Sequence, residues 1–285
     1  MDLETPILLS IVLGGGALLL PLLSISNLRE KTGNLFGYVS IIAILFALAS
    51  VGYTTLIQGL NQSGNLSGVF RDDLLGSFIA ITVLTVSLLV SISSLDYMKD
   101  DSNNAIYYSL LLFTSLGMTL LAYSIDLIMI IVAWELMSLP TYVLAGFKKK
   151  DPHSNEGSVK YFILGAFSSG ILLYAISMIY GLTGSTNIYS IVNALSGLSP
   201  TLIPFAILTS ALFIAGFGLK MSVVPFHMWA PDAYEGAPPT IGALLSAGTK
   251  KAGFAAVLRI FLVALPILSL YPSWTAALAV LAILT

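Results

Sequence analysis

Residues 125–147 read IDLIMIIVAWELMSLPTYVLAGF, and this stretch decides what kind of protein the chain is. It is long enough to cross the hydrocarbon core of a bilayer as a helix, which takes about 20 residues. Its charged residues are Asp126, at the start, and Glu135. Glu135 lies about ten residues into the segment, so it would be about 15 Å deep at 1.5 Å per residue. Because charged groups are costly at that depth, Glu135 is a candidate functional residue.

The rest of the chain has the same character. Of its 285 residues, 57% are hydrophobic and 9% are charged, whereas a soluble domain has about 25% charged residues. So few charges cannot cover a soluble surface. We therefore predict an all-α polytopic membrane protein, with residues 1–285 forming a single transmembrane domain. There are about nine apolar segments, most of them long enough to cross a bilayer as a helix. They cover residues 6–25, 35–57, 74–95, 105–123, 125–147, 157–182, 202–231, 238–265 and 271–285.

The composition also limits the chemistry. The chain has no cysteine and two histidines, His153 and His227. This excludes disulfides, iron–sulfur clusters and thiolate metal sites, and it disfavours haem ligation. The net charge of -2 argues against nucleic acid as a partner. We therefore expect no cofactor, no metal and no catalytic redox residue, so that any redox chemistry belongs to another chain.

Basic residues concentrate in alternate loops between the apolar segments. The first, third and fifth loops hold most of them, namely Arg29, Lys31, Lys99, Lys148, Lys149, Lys150 and Lys160. Arg71 lies in one of the other loops, and residues 183–200 carry no charge. The positive-inside rule then places the odd loops in the cytoplasm and the N-terminus outside. We expect a multi-pass protein of a prokaryotic plasma membrane.

Residues 202–231 are too long for a simple span and are interrupted by three prolines, Pro204, Pro225 and Pro231. Pro225 lacks a backbone N–H and so leaves the carbonyl of Met221 without its helical partner. Irregular backbone at membrane depth occurs only where protein buries it or where it lines a wet cavity, and broken helices often mark ion sites. The alternative is a helix that simply ends near Pro225 and continues as a loop.

Three lysines lie in or beside this region. Lys220 is near the middle of residues 202–231 if they form one broken span, and it would reach the interface instead if the span ended at Pro225. Lys250 and Lys251 are near the middle of the next apolar segment. One glutamate and two or three lysines at membrane depth predict a polar track for protons. A hydrogen bond from a neutral Glu135 to a neighbouring helix is the alternative.

The spacing predicts contacts within this track. Glu135 and Lys220 should approach to ion-pair distance, because opposite charges are less costly together than apart. Lys250 should face the interior along with small residues at helical spacing, namely Gly242, Ser246 and Gly253. Lys251, about 100° further round the helix, should be the more dispensable lysine.

Three long motifs, in chain order, carry a family resemblance. They are WELMSLPTYVLAGF (134–147), KYFILGAFSSGILLYAISMIYGLTG (160–184) and GFGLKMSVVPFHMWAPDAYEGAPPTIGALLSAGTKKAGFAAVLR (216–259). The chain resembles the subunit N family of the proton-pumping NADH:quinone oxidoreductase, respiratory complex I, from about residue 75 onward. The resemblance implies an antiporter-like fold of fourteen spans, with two inverted five-helix repeats and a broken helix in each, the first around Pro225.

On that resemblance, residues 1–104 are N-terminal spans and residues 105–265 form the first repeat. Residues 266–285 would begin a second repeat that is mostly missing, so we expect the chain to be truncated at its C-terminus. The motifs match Glu135, Lys220 and Lys250 to proton-translocating positions. Supporting positions are Glu156, Lys160, Pro225 and His227, with His227 as an orienting polar residue; Lys251 is additional, since relatives have a small residue there.

The resemblance implies a proton-translocating subunit of a redox-driven translocase, embedded in the lipid bilayer against other membrane subunits. Relatives with the same fold are the alternatives: a subunit of a multisubunit cation/proton antiporter, of a membrane-bound hydrogenase or of a deazaflavin-dependent dehydrogenase. The sequence SAGTKKAGF, where antiporter subunits typically have HAATMV, favours the subunit N family. A structural scaffold without transport is an alternative of another class, and buried titratable lysines argue against it.

Overall fold

The computed structural model describes residues 5–25, 34–57, 65–66, 68–99, 101–265 and 271–285. Within these ranges, seven helices are long and apolar enough to cross a membrane. The prediction of an all-α polytopic membrane fold is confirmed. Arg29 and Lys31, which contributed to the predicted orientation, lie outside the described residues.

The first half of the chain consists of long helices. The first span joins α1 (Thr5–Leu9) to α2 (Gly15–Ile25) through a π-helical turn over Ser10–Gly14. A short antiparallel ribbon, β1 (Asn65–Leu66) and β2 (Phe70–Arg71), precedes the third span. The other helices are α3 (Leu35–Ile57), α4 (Leu74–Met98), α5 (Asn104–Tyr123), α6 (Leu127–Ala145) and α7 (Pro152–Thr183).

The second half is more interrupted. A short helix, α8 (Ile188–Ser196), lies within the uncharged stretch between two predicted spans. The eighth predicted segment is helical over residues 239–264, but π-helical turns at Leu244–Thr249 and Arg259–Ala264 flank α12 (Lys250–Leu258). The remaining helices are α9 (Ile203–Met221), α10 (Ala230–Gly236), α11 (Pro239–Ala243) and α13 (Tyr271–Leu284).

Short polar residues set where several spans begin. The Asp73 side chain accepts from Gly76 N and caps α4, and Asp126 caps α6 by accepting from the backbone N–H groups of Ile128 and Met129. Asp151 caps α7 in the same way. The first N–H groups of a helix lack helical partners, so each cap fixes the level at which a span starts.

Helix α5 lies at the centre of the molecule and packs against α2, α4, α6 and α12. Its Gly117 touches the backbone of α6, because a Cβ at this position would lie 2.4 Å from Met137 N. Only glycine permits this approach. The contact brings α6, with Glu135 two residues before Met137, against the middle of the bundle.

The seventh predicted segment contains helix α9 and a non-helical stretch at residues 222–229, which leads into α10. Helix α9 ends at Met221, and Ser222 adopts a left-handed conformation with φ 59°. Val223 N donates to Gly218 O at 2.9 Å and Ser222 N donates to Leu219 O at 3.4 Å, which is the hydrogen-bond pattern of a Schellman motif. The predicted break is confirmed, and it begins at Ser222 rather than at Pro225.

Candidate functional site

Glu135 and Lys220 form an ion pair at the break of α9. Lys220 Nζ lies 2.8 Å from Glu135 Oε1, although the two residues are 85 positions apart in the chain. The Lys220 side chain is 3% exposed and that of Glu135 is 28% exposed. The predicted contact between these residues is confirmed.

Two further groups complete the environment of the pair. Ser169, on α7, donates to the same oxygen, Glu135 Oε1, at 2.5 Å. The Lys220 ammonium lies 5.6 Å from the centre of the Trp134 ring, within the range of a cation–π interaction. Lys220 also occupies the last turn of α9, where the partial negative charge of the helix end favours a cation. The carboxylate, the ring and the helix end all stabilise the ammonium.

The carbonyl oxygens released by the break are bound by groups other than Lys220. Trp229, which follows the break, donates from Nε1 to Leu219 O at 2.8 Å. Its ring stacks on Tyr161 at 4.5 Å and 11°. The indole and the Schellman turn thus occupy the carbonyl oxygens of Gly218 and Leu219.

A small polar cavity adjoins the pair. Its volume is about 10 Å³, which is the space for one water molecule. Lys220 and Thr249 both line it, together with Ser138, Tyr142 and Tyr161. Thr249, which immediately precedes Lys250, is the lining residue nearest to α12 in the chain, and Lys250 itself does not line the cavity.

Lys250 is half-buried and its ammonium lies 5.2 Å from the centre of the Tyr234 ring. Among the described residues, no carboxylate lies within salt-bridge distance of it. Gly253, one turn later, packs against Trp134, where a Cβ would meet the indole at 2.9 Å. The indole that faces Lys220 therefore also contacts the helix that carries Lys250.

Lys251 is exposed. The next residues on its side of the helix, Phe254 and Leu258, line an apolar cavity of about 500 Å³ between α9, α12 and α13. The expected face of small residues is interrupted, because Ser246 is exposed whereas Gly253 is buried. A π-helical turn at Leu244–Thr249 changes the angle per residue and so breaks the simple helical spacing.

A second charged cluster joins α7 to α10. Lys160 Nζ lies 2.6 Å from Glu156 Oε1 and 2.5 Å from Asp232 Oδ2. The contact depends on close packing, since Gly157 leaves room for the backbone of Asp232. The sequence indicated Glu156 and Lys160, but it did not indicate Asp232 or Ser169. For Asp232, the available signal was its position in the segment that follows the helix break.

Pro225 and His227 lie away from the pair. Both are exposed, and the Val224–Pro225 peptide bond is cis. The His227 side chain makes no hydrogen bond within the described part of the chain. Its predicted orienting role has no counterpart among these contacts. Trp229 provides the hydrogen bond that holds the segment after the break.

Comparison with known proteins gives a consistent result. The family model described as "NADH:quinone oxidoreductase/Mrp antiporter, TM" matches residues 124–285. The F(420)H(2) dehydrogenase subunit N of Methanosarcina mazei is 39% identical over 265 residues, which is 90% of this chain and 52% of that protein. The NADH-quinone oxidoreductase subunit N of Trichlorobacter lovleyi is 40% identical over 261 residues, covering 90% of this chain and 52% of that protein.

Solved structures agree with the sequence relatives. A chain of respiratory complex I from Thermus thermophilus with bound aureothin superimposes with a TM-score of 0.77 at 28% identity, covering 97% of this chain and 56% of that chain. The chain thus spans about half the length of the curated relatives it matches. The matching family model covers more than half of the chain and includes every residue of the Glu135–Lys220–Lys250 arrangement. The chain therefore belongs to the NADH:quinone oxidoreductase/Mrp antiporter transmembrane family.

Proposed function

We propose that this chain is a proton-translocating membrane subunit of a redox-driven quinone oxidoreductase. Glu135, Lys220 and Lys250 carry the protons. The single observation that supports this most strongly is the 2.8 Å Glu135–Lys220 ion pair at the end of α9. Buried ionisable groups inside a membrane segment are expensive and are kept where charge has to move.

A proton can pass from Lys220 toward Lys250 through water. An N–H bond of the Lys220 ammonium breaks as an O–H bond forms on a water in the cavity of about 10 Å³. That water passes a different proton to a second water, which protonates the neutral amine of Lys250, because Lys250 does not itself line the cavity. Thr249, which lines the same cavity, is placed to orient the water. Glu135 is left without its counter-charge, so the transfer reverses unless a new proton reaches Lys220 or the pair opens.

The redox reaction that drives proton translocation takes place in other chains of the complex. With no cysteine in the sequence, this chain lacks thiolate ligands for iron–sulfur clusters, and we propose that it holds no redox cofactor. Relatives with two different names, an F(420)H(2) dehydrogenase subunit and an NADH-quinone oxidoreductase subunit, match it about equally well. The proton path would be common to both kinds of complex. Other membrane subunits of the complex would pack against this chain.

The proposed location is a prokaryotic plasma membrane with the N-terminus outside. Helix α5 lies between α4 and α6 in the chain, so α4 and α6 cross in the same direction and their C-terminal ends lie on the same side. Lysines follow both of these ends: Lys99 after α4, and Lys148, Lys149 and Lys150 after α6. Arg71 lies at the opposite end, just before α4. By the positive-inside rule, the excess of lysines supports a cytoplasmic position for the C-terminal ends of α4 and α6.

The test is Glu135→Gln in the full-length chain, assembled in its native membranes and reconstituted in liposomes. We expect protons pumped per quinone reduced to fall below about half, because removing one partner of a buried pair leaves the other charge uncompensated. Assembly should persist, since glutamine retains an acceptor for Ser169. Glu235→Gln is the matched control, because Glu235 is exposed on α10.

Unchanged pumping in Glu135→Gln would remove Glu135 from the path. Loss of assembly with normal pumping in the residual complex would show instead that the charge of Glu135 serves assembly and not proton transfer. The antiporter alternative makes a different prediction: cation-for-proton exchange that proceeds without quinone reduction and responds to Glu135→Gln in the same assay.

A further inference from the structure

A buried arginine joins the lysine-bearing helix to two other spans. Arg259, directly after α12, is 2% exposed. Its Nη1 and Nη2 donate to the two carboxylate oxygens of Asp73 at 2.9 and 2.8 Å. Nε and Nη2 also donate to the carbonyl oxygen of Ala122 at 3.2 and 2.8 Å. One guanidinium thus fixes α12 to the start of α4 and to the end of α5.

This bidentate contact is directional. The planar guanidinium matches both oxygens of a carboxylate at once, which fixes orientation as well as distance. Burial alone would raise the pKa of Asp73, but its hydrogen bonds from Arg259 and the arginine charge hold the pKa below its usual value. Asp73 is therefore ionised at neutral pH, and the contact is a full ion pair there.

The arginine lies on the opposite side of the helix from Lys250. Nine residues separate them, which is about 180° of rotation at 100° per residue. Lys250 faces the Tyr234 ring, whereas Arg259 reaches α4 and α5. Lys251, which follows Lys250 in the chain, is exposed. A rotation of α12 by about 100° would bring Lys251 to the position of Lys250.

Among the described residues, the guanidinium makes the side-chain hydrogen bonds that tie this helix end to other spans. The buried face of α12 otherwise consists of small residues, namely Ala252, Gly253, Ala255 and Ala256, while Phe254, Val257 and Leu258 line the apolar cavity. Helix α12 is flanked on both sides by π-helical turns, at Leu244–Thr249 and Arg259–Ala264. A rotation of about 100° would move the Cα of Arg259 by about 4 Å on a helix of 2.3 Å radius, which breaks its contacts with Asp73.

From these contacts we infer that Arg259 and Asp73 are positioning residues that set the rotation of α12, so that Lys250 and not Lys251 faces the interior. The consequence for proton transfer rests on the proposed function. The positioning itself does not, and a measurement of geometry tests it separately. The pair acts from the end of the helix remote from Lys250 and touches no part of the proton path.

These 285 residues contain no cysteine, so cross-links between positions within them come from the introduced pairs. Two doubly substituted full-length chains carry Tyr234→Cys with either Lys250→Cys or Lys251→Cys. Each is expressed in native membranes, and intrachain cross-linking by a short bis-maleimide is measured. In the otherwise unchanged protein, we expect the 234–250 pair to cross-link about tenfold more than the 234–251 pair, because adjacent helical residues point about 100° apart.

Adding Asp73→Asn should reduce this preference to within about twofold, because asparagine can still cap α4 but no longer pairs with the arginine. Asp126→Asn is the matched control: Asp126 caps α6 and accepts from Thr186, with no arginine partner. It should leave the preference unchanged. Arg259→Lys keeps a positive charge but loses the bidentate contact, so it should give an intermediate ratio of 234–250 to 234–251 cross-linking. This variant also tests the inference if Asp73→Asn does not accumulate.

An unchanged cross-linking ratio in both Asp73→Asn and Arg259→Lys would overturn the inference, whatever happens to pumping. A changed ratio establishes the positioning role. If pumping then proves independent of Lys250, the proposed function fails while the positioning role stands. If both hold, Asp73→Asn should also make Lys250→Ala and Lys251→Ala more alike in their effects on pumping.

Discussion

The hydrogen bond from Trp229 Nε1 to Leu219 O holds the segment after the break against the helix end that carries Lys220. Trp229→Phe removes this donor and retains a ring that can stack on Tyr161. The carbonyl of Leu219 keeps its longer 3.4 Å bond from Ser222 N. We therefore expect a stability loss at the lower end of the range for an under-bonded buried group, about 1 kcal/mol.

The functional effect should be larger than this loss suggests. The released carbonyl is one residue from Lys220 and can accept a hydrogen bond from its ammonium. Hydrogen bonds to charged groups contribute about 1.5–3 kcal/mol, and about 1.4 kcal/mol changes an equilibrium tenfold. Because a carboxylate holds an ammonium more strongly than a neutral carbonyl does, the full tenfold is an upper limit on the weakening of the contact with Glu135. We expect protons pumped per quinone reduced to fall about tenfold at most, with quinone reduction less affected.

Trp274→Phe is the matched control. Trp274 is also buried, and its Nε1 donates to a helix-end carbonyl, that of Leu265, at 3.0 Å. The two substitutions should lower the melting temperature similarly in detergent, while only Trp229→Phe lowers the pumping ratio in liposomes. Equal effects of both on pumping, or no effect of Trp229→Phe on pumping despite a lower melting temperature, would refute this reasoning.

Two other predictions follow from single residues. Lys250→Ala should lower proton pumping more than Lys251→Ala, because Lys250 is half-buried over the Tyr234 ring whereas Lys251 is exposed. A larger loss for Lys251→Ala in the liposome assay would reverse the assignment. Burial, with the neighbouring charge of Asp73, raises the pKa of Asp72 despite its hydrogen bond from Thr5. Because the pKa of Asp72 is higher in the folded state than in the unfolded state, ionisation of this carboxyl destabilises the folded state as the pH rises through the two pKa values. Asp72→Asn should therefore raise the melting temperature at pH 7, and the increase should be smaller below a pH of about 4. An equal gain at both values would show that charge is not the cause.

Much of the fold was predictable from local chemistry. The apolar segments had to become helices because no backbone group can remain unpaired in hydrocarbon. Their length and the low content of charge predicted the approximate bounds of the first seven segments, which correspond to the seven described helices long and apolar enough to cross a membrane. The interruption in residues 202–231 was predictable from excess length and three prolines. Its starting point was not, because the chain leaves the helix at Ser222, where a left-handed residue completes the Schellman turn.

The site was predictable in part. Glu135 and Lys220 could be paired from sequence, because each is costly alone at membrane depth and they are opposite in charge. Lys250 could be chosen over Lys251 only as a hypothesis, since the rotation of a helix with small side chains is set by what surrounds it. The π-helical turn before Lys250 changed the spacing on which that argument relied.

By itself, the sequence determined that this is a helical membrane protein with a broken span and buried opposite charges, because hydrophobicity, length and charge act within a segment. Only the tertiary structure decided the partners: Ser169 on Glu135, Asp232 on Lys160, and Asp73 on Arg259. The last two contacts join residues 72 and 186 positions apart. Such contacts depend on the packing and rotation of whole helices, which no local pattern records, since any polar residue at a suitable depth would satisfy the same physical requirement.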